Sequence, residues 1–189
     1  MTDPRLTFKK QKEWQNWLDR NGSSSSGVWL RLAKKSSEQP TVSYAEAVET
    51  ALCHGWIDGQ KRTESEHFWL QRFTPRTSKS LWSKINKTKA EALAAAGKMR
   101  PSGLREIERA KQDGRWEAAY ASPGNSIIPE DLQRALDANP RAKNFFATLN
   151  SRNRYAILFR LQTAKKPETR ARKIAQFVEM LSEGKTLHP

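Results

Sequence analysis

The sequence predicts an α+β fold: a small antiparallel sheet with helices in the N-terminal half, followed by an all-α C-terminal helical module. Residues 28–32, 56–62 and 67–73 are short apolar or aromatic runs bounded by Gly, Ser, Thr or Pro, which is the pattern of strands. The segments between and after them carry apolar residues at i, i+3 and i+4, the pattern of helices. Beyond the turn cluster Ser122-Pro123-Gly124-Asn125 only the helical pattern remains. A chain of 189 residues holds one domain or two small ones. The expected division is an α+β domain over 1–120 and a helical module over 121–189.

The elements follow in order. Trp14, Trp17 and Leu18 share one face of a helix over 9–21, and Gly22 stops it. Four serines and Gly27 make a loop before the strand Val28-Trp29-Leu30-Arg31-Leu32. Ser43 and Glu46 form a capping box, from which a helix runs to Gly55 with Tyr44, Val48, Ala51 and Leu52 on its apolar face. The second strand starts at Trp56, with a bulge expected at Gly59, and pairs as a hairpin with the third at 67–73. Asp58 is expected to meet Lys61, Arg62 or Arg72 across that hairpin. Pro75 closes the sheet. A helix over about 83–96 ends at Gly97, and Pro101 opens another that ends at Asp113-Gly114. Pro129, Pro140, Ser151 and Pro167 open four more helices. The last places Ile174, Phe177, Val178 and Leu181 at i, i+3, i+4 and i+7.

Composition narrows the function classes. The 34 Lys and Arg against 20 Asp and Glu give a formal net charge of +14. Seven Trp and seven Phe are too many for a disordered basic tail. No run of apolar residues is long enough to span a membrane, and the polar start predicts no signal peptide. The single cysteine excludes a disulfide framework and multi-Cys zinc sites, and with the polar start it predicts a cytoplasmic protein. The charge is concentrated: 13 basic and 5 acidic residues lie in 60–111, and 10 and 1 in 141–175, around an acidic stretch. Such segments attract nucleic acid, a phosphate metabolite or an acidic protein. Oligomeric state has no sequence signal.

Several motifs resemble the YdeI/OmpD-associated family, whose members are also labelled bacteriocin-protection proteins. They are Tyr44-Ala45-Glu46-Ala47-Val48, Gly55-Trp56-Ile57-Asp58-Gly59, Arg72-Phe73-Thr74-Pro75-Arg76 and Ser80-Leu81-Trp82-Ser83-Lys84-Ile85-Asn86. Met99-Arg100-Pro101-Ser102-Gly103-Leu104, Asp113-Gly114-Arg115-Trp116 and Ala164-Lys165-Lys166-Pro167-Glu168-Thr169-Arg170 continue the resemblance, which runs from about Gly27 to Pro189. It implies a bacterial cytoplasmic protein linked to envelope stress and tolerance, with no catalytic residues to carry over. Some relatives join the C-terminal module to a frataxin-like domain, which implies iron handling. Iron needs clustered carboxylates, and the excess of bases in 60–111 has the wrong sign.

Two candidate sites emerge, both for anions. The first combines Arg72, Arg76, Lys79, Ser80, Trp82 and Asn86 ahead of a helix N-terminus, with Asp58 to orient an arginine or a ligand hydroxyl. Arginine grips phosphate or carboxylate bidentately, helix amides favour negative charge, and Trp82 offers a stacking ring. The second is a polyanion surface of Arg152, Arg154, Lys165, Lys166, Arg170, Arg172 and Lys173, able to track phosphates. Cys53 and His54, adjacent on a helix, point about 100° apart and read as packing rather than as a nucleophilic pair. No catalytic residue, metal ligand or cofactor is assigned. The expected function is therefore binding of an anionic partner through basic surfaces; a small anionic ligand between the sheet and 72–86, and non-specific nucleic-acid binding, are the alternatives.

Overall fold

The computed structural model describes residues 3–122, 124, 126–164 and 166–189. The fold is α+β as the sequence predicts, with a small sheet and helices first and helices alone afterwards. It divides into two compact units. One holds the chain up to Trp82 together with Asn86–Glu117, the other Ser83–Ile85 with Ala118–Pro189.

The first unit is built on a four-stranded sheet in the order β1-β2-β4-β3, from β1 (Arg5–Leu6), β2 (Val28–Ala33), β3 (Trp56–Thr63) and β4 (Phe68–Pro75). Three strands are the expected ones and pair antiparallel. The edge strand β1 pairs parallel to β2 over two residues. Two polar-flanked residues carry no periodicity, so this strand is visible only through its pairing. The register shifts between Asp58 and Lys61, so the bulge takes in the expected Gly59 together with Gln60.

Helices α1 (Gln11–Asn21) and α2 (Tyr44–Cys53) supply the core of this unit. Trp14 and Trp56 are fully buried, as is Phe73, and their rings meet at 5.7–6.3 Å. Each indole nitrogen is satisfied: Trp14 Nε1 donates to Ala47 O at 3.1 Å, and Trp56 Nε1 donates to Gly22 O at 3.2 Å. Buried tryptophans need such partners, because an unpaired donor out of water is costly. Helix α2 starts at the expected capping box, in which Ser43 N donates to Glu46 Oε2 at 2.9 Å and Glu46 N to Ser43 Oγ at 3.3 Å. Hydrogen bonds from Ser43 hold the Glu46 carboxyl below its ordinary range. Tyr44, expected on the apolar face, is instead exposed and turned to the sheet edge. It is the first helical residue, where the ring reaches past the core.

The end of α2 meets the start of α4 (Pro101–Gln112) through two glycines. Gly55 has φ +76°, and a Cβ there would lie 2.9 Å from Ser102 O. A Cβ on Gly103 would collide with Cys53 O and lie 2.7 Å from Met99 Cε. Glycine alone allows this approach, which Arg100 N closes by donating to Cys53 O at 2.9 Å. Helix α3 (Lys84–Ala95) precedes α4.

The second unit contains α5 (Glu130–Asp137), α6 (Pro140–Thr148), α7 (Ser151–Gln162) and α8 (Pro167–Ser182). Their apolar stripes close one core, with Leu132, Leu136, Ile157, Leu161 and Leu181 almost fully buried. Asn139 and Asn150 cap α6 and α7, each accepting from a first-turn amide. The cap of α7 is thus one residue ahead of the expected Ser151. Buried Asn153 exchanges two hydrogen bonds with His188, at 2.9 and 3.0 Å, and so fastens the C-terminal segment. Ser83 forms an isolated parallel bridge with Tyr120. Among the described residues, no helix is long and apolar enough to cross a membrane.

Candidate functional site

Residues 72–86 have mostly structural partners. Arg76 N donates to Gly55 O at 2.9 Å as the chain leaves β4. The Arg76 guanidinium sits 3.6 Å from the centre of the Trp82 ring and donates to Leu81 O at 3.1 Å. Arg76 is 4% exposed and Trp82 2%, so a ligand reaches neither side chain in this conformation. Trp82 also meets Trp116 edge-on at 4.7 Å. The turn that follows is closed by Thr77 N donating to Ser80 Oγ at 2.9 Å. Buried Arg115 holds it from within, donating to Ser80 O at 2.8 Å while its Nη2 lies 2.7 Å from Asp113 Oδ2. Lys79 is exposed on this turn, and Asn86 lies half-buried in the first turn of α3.

Asp58 and Arg72 are on opposite faces of the sheet. Asp58 pairs in register with Phe73, the neighbour of Arg72, and successive side chains alternate. The partner of Asp58 is the Tyr44 hydroxyl, which donates to Oδ2 at 2.6 Å, and not a basic residue across the hairpin. Arg72 is kept away by the alternation of faces, and Lys61 and Arg62 lie along Asp58's own strand rather than opposite it. Arg72 is paired with Asp3 at 2.7 Å.

The second predicted surface is also partly engaged. Arg154 donates to Ala147 O at 3.1 Å at the end of α6, and Lys173 donates to Arg160 O at 3.0 Å in α7. Arg170 donates to Leu161 O at 2.7 Å and to both oxygens of Asp131, at 2.6 and 2.9 Å. Cations suit helix C-termini, whose carbonyls lack intrahelical donors. Arg152, Lys166 and Arg172 are exposed, and Lys165 lies outside the described residues.

Two groupings escape a linear reading of the chain. The first is the sheet face opposite α1 and α2. Register puts Arg5, Trp29 and Arg72 in one cross-strand row, and Arg31, Leu70 and Arg62 in the next. Arg31 lies 3.7 Å from the centre of the Phe68 ring and Arg62 4.4 Å from that of Trp29. Arginines thus roof the aromatics of this face while keeping their heads in solvent: the side chains of Arg5, Arg31 and Arg72 are 68, 36 and 35% exposed. Glu64 pairs with Arg31 at 2.6 Å and approaches Arg5 at 3.9 Å. Among the described residues, Arg62 has no carboxylate partner. The signal was present as alternation in Val28-Trp29-Leu30-Arg31-Leu32, but the partner strands are far away in sequence.

The second grouping joins Asp19, His54 and Arg100. His54 Nδ1 lies 2.8 Å from Thr50 O and Nε2 3.0 Å from Asp19 Oδ1, while Arg100 donates to Asp19 Oδ2 at 3.0 Å. Burial pushes the Asp19 carboxyl up, but the His54 hydrogen bond and the Arg100 charge outweigh it and hold it low. His54 and Arg100 line two adjoining cavities of about 350 and 640 Å³. Neighbouring Cys53 is buried, and that burial, with the charge of Glu49, pushes its thiol up, away from a reactive thiolate.

Comparison with known families divides the chain. The family model described as a domain of unknown function, DUF8412, matches residues 6–106. The model described as Bacteriocin-protection, YdeI or OmpD-Associated (OmdA) matches residues 125–184. The YdeI-type resemblance is therefore carried by the helical module, and the similar motifs in residues 44–104 lie in the stretch of the other family. No curated protein and no solved structure matches the chain.

Proposed function

The chain belongs to the DUF8412 family and carries an OmdA module, and we propose that it is a non-enzymatic binding protein that engages an anionic partner through basic side chains. The arginine-roofed sheet face is the observation that carries this reading. Four arginines share that face with two carboxylates, and the aromatic floor holds the guanidinium groups of Arg31 and Arg62 in place. Surface ion pairs such as Arg31–Glu64 contribute only about 0–1 kcal/mol, so an incoming phosphate or carboxylate competes with Glu64 at small cost, while Arg72 stays held by Asp3, whose side chain is only 10% exposed. The exposed Arg152, Lys166 and Arg172 give the helical module basic side chains of its own for an anionic partner. The bacteriocin-protection description of the OmdA module supports a tolerance context for this binding, and the lone buried thiol is in keeping with a cytoplasmic setting.

Heparin binding measured against salt tests the reading. Binding at low salt is expected, with affinity falling about 10-fold or more between ~50 and ~200 mM salt as counterions are released. Arg31→Gln and Arg62→Gln together should flatten that dependence. A protein that does not bind heparin at low salt overturns the reading.

A further inference from the structure

We propose that the arginine-roofed sheet face binds single-stranded nucleic acid, with bases stacked on the guanidinium groups of Arg31 and Arg62; this rests on the anionic-partner reading above and names its partner. A merely basic surface needs charge and nothing else. Here the charge is organised on rings. Arg31 lies over Phe68 at 3.7 Å and Arg62 over Trp29 at 4.4 Å, both within the range of cation–aromatic stacking. A guanidinium centred over a ring at this distance leaves its other side to solvent, and the Arg31 side chain is 36% exposed and Arg62 exposed. Unpaired bases are recognised by stacking on aromatic rings or guanidinium planes, while neighbouring cations take the phosphates.

The face carries both parts. The row Arg5–Trp29–Arg72 runs across β1, β2 and β4, and the row Arg31–Leu70–Arg62 runs across β2, β4 and β3. Arg5, its side chain 68% exposed, flanks the stacked pair as a phosphate contact, with Arg72 beside it held by Asp3. Leu70 between the stacks is buried, which keeps the floor apolar. Trp29, at 9% exposure, is reached through its arginine rather than directly.

The width of the sheet favours a single strand over a duplex. Four strands spaced about 4.8 Å apart span about 14 Å, wider than the ~12 Å major groove that admits a helix or a two-stranded ribbon. A duplex also hides the base faces that a stacking surface needs. An acidic polypeptide satisfies the arginine charges but has nothing to stack.

The experiment compares the full chain's affinity for oligothymidylate, oligouridylate, an abasic oligonucleotide of equal length, the matching duplex, polyglutamate and heparin, at one low salt concentration. Oligothymidylate or oligouridylate is expected to bind at least about 10-fold tighter than the abasic strand and the duplex, in line with the worth of a stacked base. Whichever of the two binds tighter separates DNA from RNA as the source. The decisive variants are Arg31→Lys and Arg62→Lys, which keep the charge and remove the plane, at positions exposed enough to leave the fold intact. They are expected to abolish the preference for bases while heparin affinity stays unchanged. Equal binding of the abasic strand, polyglutamate, heparin and the oligonucleotides overturns the stacking inference and leaves the anionic-partner reading standing. A base preference that survives both lysine variants overturns the placement on this face. Failure to bind any of the probes overturns both readings.

Discussion

Single positions show how little freedom the helix junction has. Gly103 faces Cys53 O with no room for a methyl group, and Gly55 holds a positive φ beside it. Gly103→Ala is expected to cost about 1–3 kcal/mol, the usual range for overpacking a tight contact. Denaturant unfolding reads this directly, and an unchanged midpoint would mean that the two helices sit farther apart. The same junction carries Arg100, and through it the Asp19–His54 pair, so the variant should also disturb the cavities those residues line. None of this is visible in the sequence. Cys53-His54 reads there as an adjacent pair, while the true partners of His54 are Asp19 and Thr50, one of them 35 residues away.

Elements are tied together by ion pairs that the sequence suggests only as charge. Asp131 in the first turn of α5 accepts two of the Arg170 hydrogen bonds from α8. Those bonds, with help from Leu132 N, hold its carboxyl below the ordinary 3.8 despite partial burial. A carboxyl lowered in the folded state stabilises fully above its ordinary value and loses that contribution as pH falls through the lowered one. Asp131→Asn is therefore expected to lose about 1 kcal/mol at neutral pH, a figure reduced for the solvent exposure of both side chains. The gap to the parent chain should narrow as pH falls below the ordinary 3.8 and the carboxyl protonates. Stability measured at pH 7 and in acid checks it, and a gap independent of pH would assign the loss to packing. The arginines and lysines of residues 141–175 thus divide into those that close helix ends and those left for solvent. Composition sums them without distinction.

At the scale of the whole molecule, the net charge of +14 acquires places. Part of it ends helices, part is buried with Trp82 or Asp113, and part roofs the sheet. The helical unit has its own core, from Leu132 to Leu181, and Tyr120 closes against Phe159 at 5.0 Å. A fragment of residues 118–189 is accordingly expected to fold alone, with a helical spectrum and a cooperative thermal transition. A featureless melt would show that this core is insufficient. That fragment tests the division we propose at about residue 120.

The sequence by itself determined the class of fold, the strong elements and the helical nature of the C-terminal module. These follow from periodicity, capping boxes and Gly or Pro stops, which are local properties that a strand or helix carries wherever it packs. It also determined that two segments are basic. Only the tertiary structure decided which of those charges face solvent. Arg76 and Arg72 are four residues apart, yet one is buried against Trp82 and the other stands on an open sheet face beside Asp3. The reason is that register assigns Arg72 to its face through pairing with Trp29, whereas Arg76 lies just beyond β4, where the backbone turns onto Gly55 and the side chain onto Trp82. Both placements depend on chain distant from the arginine or on how it turns, which local periodicity does not carry.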